Sequence, residues 1–312
     1  MSRNIAVVED DRDLGKLICT RLEGAGYQCS YLANSEKAFA VLKEKKPDLI
    51  ILDVMMPKVN GYELCRHIRR DPLIYLTPVL MLSALGGEPE MAHALEQGAD
   101  DYLMKPFDVG VLFARVKTLL EKHARIMQKN QLTGLYGGEF VKKVIINKLF
   151  RDETVAACYF TLMHFAPYTK LYGPQKRDDA TKLLADILKE VTHDTGVYEC
   201  VIAHLGGPDF MVLLSIKDFE RYCNEGVLRF RNRRNALYSA VDANRGAITV
   251  EMEGGGMADY PLMSVAVGVV TNEKMKFRDS SQMVKVAGEI NRRAQLQQTN
   301  GHIEVVREGM LI

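Results

Sequence analysis

The chain has no tryptophan, and none of its six cysteines stands in a CxxC pair or at zinc-ligand spacing to a histidine. A zinc site or a cysteine framework is therefore not expected, and Cys19, Cys29, Cys65, Cys158, Cys200 and Cys223 read as separate reduced thiols. No apolar run approaches the roughly 18 to 20 residues that cross a bilayer, so a helical membrane protein is not expected either. Neither sign of charge dominates: 41 basic and 40 acidic residues leave a formal net charge of +1. There is no broad field to capture nucleic acid or an anionic membrane. The opening MSRNIAVVEDD lacks the apolar core and small-residue cleavage site of a secretory signal, which points to a cytoplasmic protein. What remains is an ordinary globular composition, 47% hydrophobic and 26% charged, over 312 residues. At ~150 residues per domain that is about two domains.

Ile5 to Val8 is an apolar run closed by Glu9, Asp10 and Asp11, after which Leu14, Ile18 and Leu22 recur near helical spacing until Gly24 and Gly26 end the pattern. The same order returns with Leu49 to Leu52 before Asp53, Val79 to Leu82 before Ser83, and Tyr102 to Met104 before Lys105. Short apolar strands separated by helices predict a doubly wound parallel α/β sheet, whose ligand crevice lies at the carboxyl ends of its strands. If the strands ending at Glu9 and Asp53 are neighbours, Glu9, Asp10 and Asp53 converge and repel one another. A hard, oxygen-seeking cation such as Mg2+ relieves that repulsion and can bridge to phosphate. Asp53 is then the natural nucleophile for an acyl phosphate, while Ser83 and Lys105 offer a hydroxyl and a point charge to the phosphoryl oxygens. A solvated acidic loop would account for any one of these carboxylates, but not for the whole ordered set.

Over residues 1 to about 125, the runs VVEDD at 7–11, ILDVMMP at 51–57, GYEL at 61–64, MLSA at 81–84 and GADDYLMKPF at 98–107 resemble a two-component receiver domain, CheY-like with a flavodoxin-like fold. The resemblance implies that Asp53 is phosphorylated by a cognate histidine kinase and that Glu9, Asp10, Asp53 and the Met55 backbone carbonyl hold Mg2+. It further implies that Ser83 and Tyr102 are a switch pair and that Lys105 contacts the phosphate ahead of a cis Pro106. Phosphorylation adds roughly −1.5 to −2 charge. With Ser83 and Lys105 drawn inward, Tyr102 is expected to rotate toward the interior and change one face of the domain.

The receiver is expected to span 1–122, and its last helix to run on as a linker over 109–131. Leu112, Val116, Leu119, His123, Ile126 and Asn130 follow at alternating four- and three-residue steps, with no Pro or Gly between Val111 and Gln131. The first half of this stripe can pack on the receiver's own sheet. The second half predicts a projecting helix that pairs as a coiled coil, with His123 and Asn130 setting register.

A different pattern fills 132–312. Val155 to Leu162 reads as a strand, Asp178 to Val191 as an amphipathic helix, and Ala203 to Leu205 with Phe210 to Leu214 as a hairpin around Gly206, Gly207, Pro208 and Asp209. Leu262 to Val270 reads as a further strand and Met283 to Leu296 as a helix, so an α+β domain with a mainly antiparallel central sheet and helices on one side is expected. The segments NQLTGLYGGEF at 130–140, MHFAPYTKLYG at 163–173, HLGGPDF at 204–210 and SVAVGVV at 264–270 resemble a GGDEF domain, the diguanylate cyclase fold. That family joins two metal-bound GTP molecules, and here its chemistry is missing by position. The strand-end metal carboxylate falls on Thr161, the third signature position on Pro208 and the fourth on Asp209. The guanine-binding Asn falls on Thr169, with Asp178 its remaining partner, and the late-helix Lys and Arg fall on Gln295 and Thr299. The RxxD motif of product inhibition falls on Val197 and Cys200, which argues against cyclic di-GMP at that site. The resemblance thus implies a domain without cyclase activity and without a cofactor of its own.

An apparent insertion at about 218–260 carries Arg229, Arg231, Arg233 and Arg234, either a solvated helix face or a patch for an anionic partner. RNA or DNA is not expected, since no nucleic-acid-binding module is visible. The resulting expectation is a cytoplasmic bacterial response regulator, not an enzyme, that homodimerises through its receiver face and linker helix. Its second domain is expected to present a scaffold to an unknown downstream protein, which would recruit it to a cell pole or complex. The rival reading is a sensor whose degenerate pocket still holds cyclic di-GMP or GTP, and the third is an active cyclase using displaced residues.

Overall fold

The structure is a computed structural model that describes residues 2–273, 275–277, 279–297 and 305–307. It divides into two compact units, Met1–Met127 and Gln128–Ile312. In the first, β1 (Asn4–Val8), β2 (Gln28–Leu32), β3 (Leu49–Asp53), β4 (Val79–Ser83) and β5 (Asp101–Met104) form a parallel sheet in the order β2-β1-β3-β4-β5. Helices α1 (Arg12–Gly24), α2 (Ser35–Lys45), α3 (Gly61–Arg70) and α4 (Glu88–Glu96) connect the strands, and α5 (Val109–Ile126) follows β5. The strands are apolar throughout because both faces are covered. Ala6, Val8, Ile50 and Leu52 pack with Leu42, Leu64 and Ile68, while Ile5, Val7, Leu49 and Ile51 pack with Ile18, Leu22, Leu112 and Val116. The expected neighbouring of β1 and β3 is observed, with Val8 opposite Leu52.

Two expectations for this unit are corrected. α5 ends at Ile126, short of the predicted 131. Asn130 Oδ1 accepts the N–H groups of Leu132 and Thr133 at 3.0 Å each, and the Asn130 N–H donates to the Leu135 carbonyl, so Asn130 builds a turn instead of a heptad position. Cys19 and Cys29 are joined as a disulfide, with Cα atoms 5.4 Å apart, where α1 packs on β2. Ten residues of separation carry no motif, so this pair was not legible as one.

In the second unit, α6 (Gly138–Phe150) precedes β6 (Ala156–Leu162), and α7 (Phe165–Thr195) is interrupted at Gly173 and Pro174. The hairpin of β7 (Val201–Gly206) and β8 (Asp209–Leu214) follows, then α8 (Phe219–Arg233), a 3-10 turn at Arg234–Leu237, and α9 (Ala240–Arg245). A separate two-stranded sheet, β9 (Ala247–Glu251) with β10 (Met257–Pro261), leads to β11 (Val265–Thr271), α10 (Ser280–Gln297) and β12 (Val305–Arg307). The main sheet has the order β12-β11-β6-β8-β7, antiparallel except where β12 joins β11.

Helices cover both faces of this sheet, not one. Ala156, Cys158, Phe160 and Leu162 face a core shared with Leu184 and Leu188 of α7 and Tyr222 and Phe230 of α8. On the opposite face α10 lies so close that a Cβ on Gly268 would meet the Asn291 backbone nitrogen at 2.2 Å. Asn291, buried there, donates from Nδ2 to the carbonyls of Tyr159 and Ala266 at 2.7 and 3.0 Å. The segment expected as an insertion begins with α8, whose Tyr222, Cys223 and Phe230 are fully buried. Only the β9–β10 pair stands as a sheet of its own.

Denatured, unreduced protein is expected to show four thiols reactive toward Ellman's reagent and six after reduction, since Cys19 and Cys29 are paired and Cys65, Cys158, Cys200 and Cys223 are free. Gly268→Ala is expected to cost about 3 kcal/mol in urea unfolding, because the obstructing atoms are backbone and cannot turn aside.

Candidate functional site

Parallel pairing puts the carboxyl ends of β1, β3, β4 and β5 at one edge of the first sheet. Glu9 follows β1, and Asp53 and Ser83 are the last residues of β3 and β4. Glu9, Asp53 and Ser83 are buried, at 1%, 3% and 0% exposure, while Asp10 is open to solvent. One carboxylate oxygen from each of Glu9, Asp10 and Asp53 lies within 4.8 Å of the others. Asp11, the third acidic residue of the run, serves the backbone instead, since its side chain accepts the N–H groups of Asp13 and Leu14 and caps α1.

Lys105, one residue past β5, bridges the two buried carboxylates, with Nζ 2.7 Å from Glu9 Oε2 and 2.8 Å from Asp53 Oδ1. Burial pushes the Glu9 carboxyl above its ordinary range; the Lys105 hydrogen bond opposes that rise and the Asp53 charge adds to it. Burial pulls the Lys105 ammonium down, but its hydrogen bonds to Asp53 and Glu9 outweigh that and hold it above its usual value. The donor set, three carboxylates with one of them in water, suits a hard divalent cation that keeps several waters, as Mg2+ does. Met55 follows in the turn after β3 with its side chain 60% exposed.

The switch residues stand differently from expectation. Tyr102 is already inward, 7% exposed, with its hydroxyl donating to the Leu85 carbonyl. Ser83 Oγ accepts the Leu85 N–H at 3.1 Å, so one short segment carries both contacts and no rotation is needed to bury the ring. The Lys105–Pro106 peptide is cis, as the motif implied. Two structural roles inside the motifs were not read from sequence. Gly61 lets α3 begin against β3, since a Cβ there would lie 2.2 Å from the Asp53 carbonyl oxygen. Asp100 accepts from Arg69 at 2.7 Å and from the Val79 N–H at 2.9 Å.

In the second unit, Thr161, the penultimate residue of β6, lies opposite Asp209 of β8, and Thr161 Oγ1 donates to Asp209 Oδ1 at 2.7 Å. Burial, with Asp209 beside it, pushes the Tyr159 hydroxyl up to about 12. Gly206 and Gly207 take φ values of 120° and 55°, a turn ahead of Pro208 that favours glycine at both places. His204 stacks on Phe210 at 4.7 Å, with Nε2 3.1 Å from the Gly207 carbonyl, and so braces the hairpin. Thr169 Oγ1 is buried without a hydrogen-bond partner among the described residues, and Asp178 pairs with its neighbour Arg177 at 2.9 Å. Gln295 donates to Asn291 on α10, and Thr299 lies outside the described residues.

The arginine run is not an open anion patch. Arg229 bonds Asp194 at 2.6 Å and Glu225 at 2.7 Å, and Arg233 bonds Glu190 at 2.6 Å. Four-residue spacing on both helices makes two rungs of one antiparallel α7–α8 ladder. Arg234 donates to the Met263 and Leu262 carbonyls at 2.8 and 3.4 Å, which leaves Arg231, among the described residues, as the member without an ion pair or hydrogen bond.

Residues 5–117 match the response regulator receiver domain family. The phosphate regulon transcriptional regulatory protein PhoB of Pseudomonas aeruginosa is 42% identical over 122 residues, 39% of this chain and 53% of that one. A probable transcriptional regulator, ycf27 of Guillardia theta, is 36% identical over 191 residues, 60% of this chain and 72% of that one. A putative response regulator from Chloroflexus aurantiacus, known by crystal structure, is 36% identical over 39% of this chain and 99% of its own, with a TM-score of 0.38. The chain spans about half the length of several curated relatives, PhoB among them.

Lys105→Met is expected to destabilise the metal-free protein by about 2 kcal/mol, because it leaves Glu9 and Asp53 facing each other without a cation. Added Mg2+ is expected to raise the Tm of this variant more than that of the parent, as read by paired thermal melts.

Proposed function

The chain belongs to the response regulator family through a receiver domain in its first unit, and on that premise we propose that Asp53 is its phosphoacceptor. The receiver is phosphorylation-controlled; the finer assignment to Asp53 and to a histidine kinase donor rests on one observation. That observation is the Glu9–Lys105–Asp53 cluster at the sheet's carboxyl edge, with Asp10 beside it.

In the proposed transfer, an Asp53 carboxylate oxygen attacks the phosphorus of a phosphohistidine. The new O–P bond forms as the P–N bond breaks, and the imidazole nitrogen leaves with the electron pair. Glu9 and Asp10, with Asp53, would hold Mg2+, which when bound neutralises phosphoryl charge. Lys105 already touches Asp53 Oδ1 and is placed to follow the charge onto a phosphoryl oxygen. Ser83 is placed to donate its hydroxyl to another, and turning toward it would shift the Oγ that accepts the Leu85 N–H. That contact shares Leu85 with the Tyr102 hydroxyl, so the chemistry at Asp53 would reach the outer face through one residue. Leu85, Met91, Leu95, Met104 and Val111 are each at least 42% exposed on that side, which supports a homodimer through α4, β5 and α5.

For the second unit the proposal is an inactive diguanylate-cyclase-like scaffold that binds a downstream protein. The hairpin at Gly206–Asp209 and the antiparallel sheet support the likeness. Thr161 at the strand end, spending its hydroxyl on Asp209, supports inactivity. The relatives are named transcriptional regulators. Against DNA as this chain's output stand the net charge of +1 and the engagement of three of the four clustered arginines.

Acetyl phosphate with Mg2+ is expected to add one phosphoryl mass to the purified protein and none to Asp53→Ala; mass gain by the variant would move the acceptor elsewhere. Incubation with GTP and Mg2+ is expected to yield no cyclic di-GMP, and micromolar binding of either nucleotide in calorimetry would replace the scaffold with a ligand sensor.

A further inference from the structure

Tyr31 lies on β2, outside every motif that marks the phosphoacceptor site, yet its hydroxyl donates to the backbone carbonyl of Glu9 at 3.0 Å. Its ring reaches that place because α1 carries glycine at position 15. A Cβ there would lie 2.2 Å from the ring's Cε2 and 2.8 Å from Cδ2. Glu9 is thereby held at three points. Its N–H donates to the Leu32 carbonyl at 3.2 Å, its carbonyl accepts from Tyr31, and its carboxylate accepts from Lys105 at 2.7 Å.

Asp10 has no such support: among the described residues its carboxylate makes no hydrogen bond or ion pair, and it is exposed. Its position must come from the backbone on either side. One side is Glu9, fixed by Tyr31; the other is Asp11, fixed as the cap of α1.

We propose that Tyr31, seated over Gly15, is a positioning residue for divalent cation binding, and that it fixes the Glu9 main chain so that the Glu9 and Asp10 carboxylates meet Asp53 at a spacing one cation can span. This rests on the reading of Asp53 as phosphoacceptor and adds to it a residue that touches neither the cation nor the phosphoryl group.

The test uses the full chain, with Mn2+ as an EPR-visible probe and Mg2+ as its competitor. Tyr31→Phe keeps the ring in its place and removes only the hydroxyl. It is expected to weaken Mn2+ and Mg2+ binding about three- to tenfold, the span of one hydrogen bond. The limiting phosphorylation rate from acetyl phosphate at saturating Mg2+ is expected to stay within about twofold of the parent, since a lost positioning contact is restored by excess cation. Gly15→Ala, which keeps the hydroxyl but denies the ring its seat, is expected to raise the Mg2+ midpoint in the same way. Unchanged Mn2+ binding in Tyr31→Phe would overturn the proposal, and so would a lower limiting rate at an unchanged Mg2+ midpoint. Absence of saturable Mn2+ binding in the parent would overturn the phosphoacceptor reading itself, a result that Tyr31→Phe alone cannot produce.

Discussion

Like charges at short range are the condition that the first unit is organised around. Glu9 and Asp53 end neighbouring parallel strands and are almost wholly buried, where water screens their repulsion poorly. A single ammonium, Lys105, stands between them, delivered from the end of another strand. The arrangement is stable enough to fold and still lacks positive charge, with Asp10 close by and unpaired. That imbalance suits a divalent cation. The surroundings serve it: Asp11 caps α1, Tyr31 ties the Glu9 carbonyl, and Gly61 lets α3 approach the Asp53 backbone.

Charge is handled in the opposite way in the second unit. Its carboxylates and guanidinium groups meet in pairs, as along α7 and α8, or are met by hydroxyls, as Thr161 meets Asp209. No group of three metal-capable side chains gathers there among the described residues. The sheet is instead closed by packing on both faces, with α10 pressed onto Gly268 and α8 filling the other side with Tyr222 and Phe230. Surface pairs of the Arg233–Glu190 kind contribute under about 1 kcal/mol each. Their larger consequence is to withdraw arginines that a polyanion would otherwise meet.

Short-range rules were readable and long-range ones were not. Strand runs ending at Glu9, Asp53, Ser83 and Lys105 could be placed by period and by polar termination, and the structure puts all four at one sheet edge. The turn at Gly206 and Gly207 was equally plain, because a positive φ leaves few residue choices. A heptad stripe, by contrast, said only which positions were spaced alike. Asn130 satisfied that spacing and went into a turn, where its side chain found backbone donors. For four arginines in six residues, only Glu225 stood at visible helical spacing to Arg229, since Glu190 and Asp194 come from a helix about forty residues earlier.

The order of residues along the chain was enough to place the polar groups of the first unit: which carboxylates and hydroxyl end the strands, and which residue carries the compensating charge. Local backbone preference and period are encoded within a few residues, so they need no fold to be seen. The helices on both faces of the second sheet, the joining of Cys19 to Cys29, the pairing of the arginines and the reach of Tyr31 to Glu9 were decided in space. Each of these depends on two segments far apart in sequence arriving at one place, and that meeting is set by how helices pack on sheets, where a missing Cβ at Gly15 or Gly268 decides how closely they approach.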